Sequence, residues 1–363
     1  SFVFRVNNNT KSKLDDYYFP FTLTRPIENV TKAKMYVQLR HYWKKKKATS
    51  AAMIEELKEM APVYIALCPE FPEEEILFTK NDETDPIRDS DKIWERLLRL
   101  RRFKPPTTTF PYLMELLQYY RKNRNDEDEV VKCLDIFESY LIRRNICSLQ
   151  NAGFTNFFRG MWKACGHKPD PVSLLRKLKS TSGYEYPDDE SVIRELKIAN
   201  MYSKRQLTRY ILNEYEISDK NSGHNNYVME NYSMSSIEHI VPEDFTKWVP
   251  RMKNWKFSED VKIIEGTEPD YQKWFSKYGN ALGNLTILQP YENSEASNYD
   301  WDLSFEMSED PKKCKQYYYS NRAKYRRIKD TAQKYLSEYS NISHDERSEI
   351  LTEWIVNRWQ YYG

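Results

Sequence analysis

The chain has 363 residues, with 56 Lys and Arg against 54 Asp and Glu for a formal net charge of +2. At roughly 100–200 residues per domain this length implies two domains or three, and the near-neutral balance means that a nucleic-acid partner must be met by a local basic surface. Only 9 glycines beside 28 tyrosines, 16 phenylalanines and 9 tryptophans exclude a glycine-rich nucleotide-binding fold, and a mean hydropathy of -0.83 excludes a membrane-spanning composition.

In chain order, Ser1 to Val6 reads as a strand entered in mid-course without an initiator Met, which predicts a piece of a longer parent. Ser90 is an N-cap ahead of Ile93, Trp94, Leu97, Leu98 and Leu100, and the Arg96, Arg99, Arg101 and Arg102 heads are expected mostly on the solvated side. Pro111 opens a second helix with Leu113, Leu116, Leu117 and Tyr120 on one face. The acidic run Asp126 to Glu129 favours the positive end of a third helix, which buries Val130, Leu134, Phe137, Leu141 and Ile142. Glu138, Arg143 and Arg144 read as an ion network on its face. The prolines and glycine between Cys165 and Pro171 place a domain boundary after residue 167, with Asp170-Pro171 capping the next helix. Five scattered cysteines, Cys68, Cys133, Cys147, Cys165 and Cys314, form no C-x-x-C pair. They exclude a disulfide scaffold and a cysteine zinc site, and they fit a reducing cytoplasm.

Beyond that boundary, Ser203-Lys204-Arg205-Gln206 and Ser343-His344-Asp345-Glu346 read as capping boxes that start helices. Between them, Tyr232 to Val241 and Leu285 to Leu288 are β-compatible. The first ends in Ile237-Glu238-His239-Ile240-Val241-Pro242, with an acid and an imidazole side by side. Neighbouring side chains on a strand point oppositely, so both serve one site only at a strand end or bend. The second, Gly283-Asn284-Leu285-Thr286-Ile287-Leu288-Gln289-Pro290-Tyr291-Glu292-Asn293, is a turn, a strand and a further asparagine. Together they predict a ββα hairpin-and-helix suited to metal-assisted phosphodiester hydrolysis. Glu238 and Asn293 offer hard oxygens to Mg2+ or Mn2+, and His239, with an ordinary pKa of about 6.5, can take a proton from water. Asn284 would orient the loop or the histidine. His41, His167, His224 and His344 have no matching partners and read as solvated or structural.

The order His-x-x-Pro, Gly-Asn-Leu-Thr-Ile-Leu and Asn293 resembles the HNH, or ββα-metal, endonucleases. More narrowly, residues 237–242, 282–288 and 293–298 resemble the C-terminal nuclease domain of the GmrSD family of modification-dependent restriction enzymes, as do residues 186–190 and Trp354 to Arg358. Residues 138–147 are similar to the helical region after that family's N-terminal module. The resemblance implies a mainly α protein: a helical bundle over 1–167, then a helical domain over 168–363 containing the ββα-metal unit. It further implies metal-dependent cleavage or nicking of DNA, including modified DNA, in bacterial cytoplasm as anti-phage defence, without a membrane. The Asp-Gly-Gln-Gln-Arg type motif of the family's N-terminal sensing module is missing, so that module of the parent is an expected partner. Two further departures stand out: Glu238 where generic HNH nucleases more often carry Asp, though the GmrSD-type pattern tolerates Glu, and the acids Asp300, Asp302, Glu306, Glu309 and Asp310 where lysine is expected.

Lys312, Lys313, Lys315, Arg322, Lys324, Arg326, Arg327, Lys329 and Lys334 are interleaved with Tyr317, Tyr318, Tyr319 and Tyr325. Lys312, Lys313, Lys315, Arg322, Arg326 and Arg327 are the expected phosphate contacts, with Arg322 and Arg326 on one helix face. The bland alternative for this segment is a solvated helix face. The alternatives for the whole chain are a non-catalytic DNA-binding or regulatory module with a degenerate ββα unit, and an RNA nuclease.

Overall fold

The computed structural model describes residues 14–71, 85–219, 222–257, 269–305, 310–336 and 338–362. The strand expected at Ser1 to Val6 and the acids Glu306 and Glu309 lie outside them. The protein is mainly α, and it divides into two compact units. One takes residues up to Arg144 with Leu149–Tyr186 and Tyr362; the other takes Asn145–Ser148 and Pro187–Tyr361.

The first unit is built from α1 (Leu14–Leu23), α2 (Met35–Lys45), α3 (Ser50–Leu67), the single turn α4 (Pro86–Asp89), α5 (Asp91–Phe103), α6 (Phe110–Lys122), α7 (Glu127–Ile146), α8 (Phe154–Ala164) and α9 (Pro171–Ser180). The expected caps form: Ser90 accepts from the Ile93 amide and Asp170 from the Ser173 amide. α6 buries Leu113, Leu116 and Leu117, and α7 buries Leu134 and Phe137. Tyr112 stacks on Phe137 at 5.8 Å, and Phe137 meets Phe158 edge-on at 5.4 Å. α9 packs on α8, so the boundary expected after residue 167 falls within this unit, and the division lies between Tyr186 and Pro187.

Two arginines depart from the expected solvated face. Arg99 is buried and pairs with Glu138 at 3.0 Å and Asp135 at 2.9 Å, so Glu138 reaches across to α5 as well as lying on its own helix. Arg101 is also buried and donates to the carbonyls of Ile65, Ala66 and Cys68. Those are carbonyls at the end of α3, where helical partners run out; Ile65 O also accepts from the Cys68 N–H and Cys68 O from the Phe71 N–H.

The second unit contains α10 (Asp189–Ile198), α11 (Arg205–Ile217), α12 (Ser222–Glu230), β1 (Ser236–His239), α13 (Val249–Met252), α14 (Asp270–Tyr278), β2 (Leu285–Leu288), α15 (Pro290–Ala296), α16 (Lys315–Asn321), α17 (Arg326–Lys334) and α18 (Asn341–Arg358). β1 and β2 form an antiparallel pair on which α11 packs. Neither expected capping box forms. Ser203 lies in a short 3-10 turn held by Asn200, and the box at α18 uses Ser340 as its N-cap with Ser343 as the third residue. Asp300 and Asp302 are not a surface acid patch: both pair with Arg251, at 2.8 and 2.6 Å, and Asp300 is fully buried.

Candidate functional site

The hairpin sets Glu238 opposite Thr286 and His239 opposite Leu285. β1 stops at His239, and Pro242 follows shortly after. β2 runs straight into α15, whose start is fixed by a reciprocal cap between Gln289 and Glu292. The turn entering β2 is pinned from α18, where the buried Arg347 guanidinium donates to the carbonyls of Leu282, Gly283 and Leu285 at 2.6–3.2 Å. A Cβ at Gly283 would lie 2.7 Å from His344 Nε2 and 2.9 Å from Ser348 Cβ, so this close approach of helix and turn needs glycine.

His239 Nε2 lies 2.9 Å from Asn280 Oδ1. With the amide oxygen facing it, Nε2 carries the proton and donates, which leaves the lone pair on Nδ1. Nδ1 has no protein hydrogen-bond partner among the described residues. Burial pushes the imidazole below its ordinary pKa, with Lys315 adding to the shift and Asn280, Glu243 and Glu238 opposing it. A neutral ring with one free lone pair is the form that a general base needs. Tyr202 packs on the ring at 4.4 Å, and the Met201 and Tyr202 amides donate to the Asn280 carbonyl, so Asn280 holds both the ring and its neighbour. Nothing in the sequence marks Asn280 for this role, because it sits in a loop whose approach to His239 is purely tertiary.

Asn284 is fully buried, and its amide is saturated by main chain. Oδ1 accepts from the Val241 N–H at 2.8 Å, and Nδ2 donates to Val241 O at 2.9 Å and Gly279 O at 2.8 Å. Of the two roles open to it in the sequence, it fills the loop-orienting one, clamping the segment after His239.

Glu238 and His239 face different elements. Glu238 Oε1 accepts from Lys315 Nζ at 2.6 Å and from the Tyr319 hydroxyl at 2.9 Å, both on α16. Asn293 donates through Nδ2 to Ser236 Oγ and Ile237 O, each at 3.2 Å. Glu238 Oε2 and Asn293 Oδ1 have no protein hydrogen-bond partner among the described residues. Both are hard oxygens of the type Mg2+ or Mn2+ takes, ions that bind through one or two protein oxygens and fill the remaining positions with water and phosphate. No group of three or more His, Cys, Asp or Glu suited to an ion occurs among the described residues.

The basic segment is only partly a surface. Lys315 is wholly buried on Glu238 and is not available to DNA, and Tyr318, Tyr319 and Tyr325 are buried as well. Arg322 and Arg326 do not share a helix: α16 ends at Asn321 and α17 begins at Arg326. Arg326 pairs with Asp219 at 3.0 Å, while Arg327 lies over the Tyr215 ring at 4.2 Å and donates to Tyr215 O. Glu216 accepts from the amides of both arginines and contacts His224 at 2.8 Å, which makes His224 structural. Lys312, Lys313, Arg322 and Arg326 are exposed, Arg322 lying 3.9 Å from Glu295.

Fold and site together define a mainly helical protein whose second unit carries a ββα hairpin-and-helix with a buried histidine at the end of its first strand. Residues 186–354 match the family described as GmrSD restriction endonucleases, C-terminal domain. That segment is thus similar to the C-terminal domain of a restriction endonuclease family. Comparison with curated proteins and with solved structures returns no match. No helix among the described residues is long and apolar enough to cross a membrane.

Proposed function

We propose that the second unit is an HNH-type, Mg2+- or Mn2+-dependent endonuclease that nicks or cleaves DNA in a bacterial, cytoplasmic, modification-dependent restriction system. The observation that carries the reading is the placement of His239 at the end of β1, with Nε2 held by Asn280 and with burial lowering its pKa. His239 takes the proton from the attacking water at Nδ1. Asn280 keeps the ring's orientation and tautomer, and Asn284 fixes the loop behind it. Glu238 Oε2 and Asn293 Oδ1 would hold the ion, which supplies charge stabilisation to the phosphate when bound. Lys312, Lys313 and Arg322 contact the DNA backbone, and a sensing module of the parent protein selects modified DNA.

The test is incubation of supercoiled plasmid with the purified chain and Mg2+, Mn2+ or EDTA, beside His239→Ala. Ion-dependent nicking that falls by about 10²–10⁴-fold in the variant is expected, and nicking by the variant at the wild-type rate refutes the assignment. The second reading, a non-catalytic DNA-binding module, draws on the pairing of Glu238 with Lys315. It predicts plasmid binding without nicking under any ion.

A further inference from the structure

Lys315 is wholly buried, and its ammonium bridges two groups of the centre: Glu238 Oε1 and the His239 carbonyl, each at 2.6 Å. A buried ammonium is retained only where a close opposite charge and good acceptors offset its lost hydration. Burial pulls its pKa below the ordinary value and the Glu238 carboxylate pushes it back. The Tyr319 hydroxyl donates to the same Oε1. Oε2 is therefore the carboxylate oxygen left without a protein partner among the described residues, and the charge is already balanced by a cation fixed on the protein side.

We propose that Lys315 is a built-in counter-cation that keeps Glu238 a weak ligand for a divalent ion until a DNA phosphate adds negative charge, so that ion and DNA enter the centre together. The proposal rests on the reading of Glu238 and Asn293 as the ion-holding pair. A divalent ion on Oε2 would share the carboxylate with the ammonium, and like charges in a partly buried site repel strongly. The negative charge of a DNA phosphate would offset that repulsion. The bond from Lys315 to the His239 carbonyl ties this charge balance to the strand end that carries the base.

The test is Mn2+ binding to the full chain by calorimetry, with and without a short phosphorothioate duplex that resists cleavage. Wild type is expected to bind Mn2+ at least tenfold more tightly with the duplex than without it. Lys315→Met keeps the length and apolar stem but removes the charge, and it should tighten duplex-free Mn2+ binding at least tenfold. Tyr319→Phe frees the same oxygen without changing charge and should leave the affinity within about twofold. Unchanged or weaker binding in Lys315→Met, or equal tightening in Tyr319→Phe, overturns the proposal. If Lys315→Met fails to fold, the wild-type comparison decides alone, and duplex-independent affinity overturns it. Glu238→Ala separates the two readings. If it leaves Mn2+ affinity unchanged, the ion-holding assignment fails; if it abolishes binding while Lys315→Met has no effect, only the counter-cation role fails.

Discussion

Glu115 on α6 lines a cleft of the first unit with Arg25, Glu59, Lys122 and Trp162, and no hydrogen bond or ion pair to it is present among the described residues. Burial raises its pKa from 4.5 to about 7, with Arg25 opposing in part. In the unfolded chain the group returns to its ordinary value. Between those two values the folded state holds the proton that the unfolded state has released, so stability is fullest below about pH 4.5 and falls as pH rises through about 7. At about 1.4 kcal/mol per pKa unit, the full decrease is roughly 3 kcal/mol, of which about 2–3 kcal/mol is expressed between pH 5 and pH 8. Glu115→Gln keeps the shape without the charge and should remove this component. Urea unfolding of wild type and variant at both pH values measures it as the difference of differences, in which every other titrating group cancels. The variant is expected to lose less stability than wild type on going to pH 8. Parallel decreases in the two proteins would show that Glu115 is hydrated or paired in solution and refute the reasoning.

Asn284→Ala should cost at least roughly 3 kcal/mol, because it strands the Val241 N–H and two carbonyls in a buried turn; chemical denaturation measures this, and a near-neutral variant refutes the clamp. Gly283→Ala should destabilise the second unit, since the added methyl meets the His344 ring. Thermal melts should show it, and they should show no such effect for Gly160→Ala, where the space is open. The triple change of Lys312, Lys313 and Arg322 to alanine should flatten the log–log salt slope of duplex binding by about 0.9 for each phosphate no longer neutralised by a side chain. Fluorescence anisotropy across a salt series checks this, and an unchanged slope returns the segment to a solvated face.

Much of the helical framework was legible because local signals agreed with the tertiary outcome: Ser90 and Asp170 cap as read, and the leucine stripes of α6 and α7 face inward. The ββα unit was legible because a short strand ended at proline and the other followed a glycine turn. Burial of charge was harder to read. Arg101 lies four residues after Leu97 and eight after Ile93, on the apolar side of α5, and Lys315 lies three and four residues before Tyr318 and Tyr319. Those spacings were the available signal, but charge type outweighed them, and the acceptors that make burial tolerable come from elements far away in sequence. Arg322 and Arg326 misled for a different reason, since helical spacing carries meaning only inside one helix and the chain turns between α16 and α17.

The centre is stitched together from distant parts of the chain. Glu238 waits for Thr286 to complete its strand and for Lys315, 77 residues away, to balance its charge, while Arg347 fixes the turn at Gly283 from 64 residues away. Pairings of such long sequence separation pay their loop-closure entropy before any stabilising interaction rewards it, so they form late. A nascent chain that ends between His239 and Arg347 has the histidine without the guanidinium that pins the turn at Gly283. The side chains around His239 are therefore complete only when most of the second unit is present.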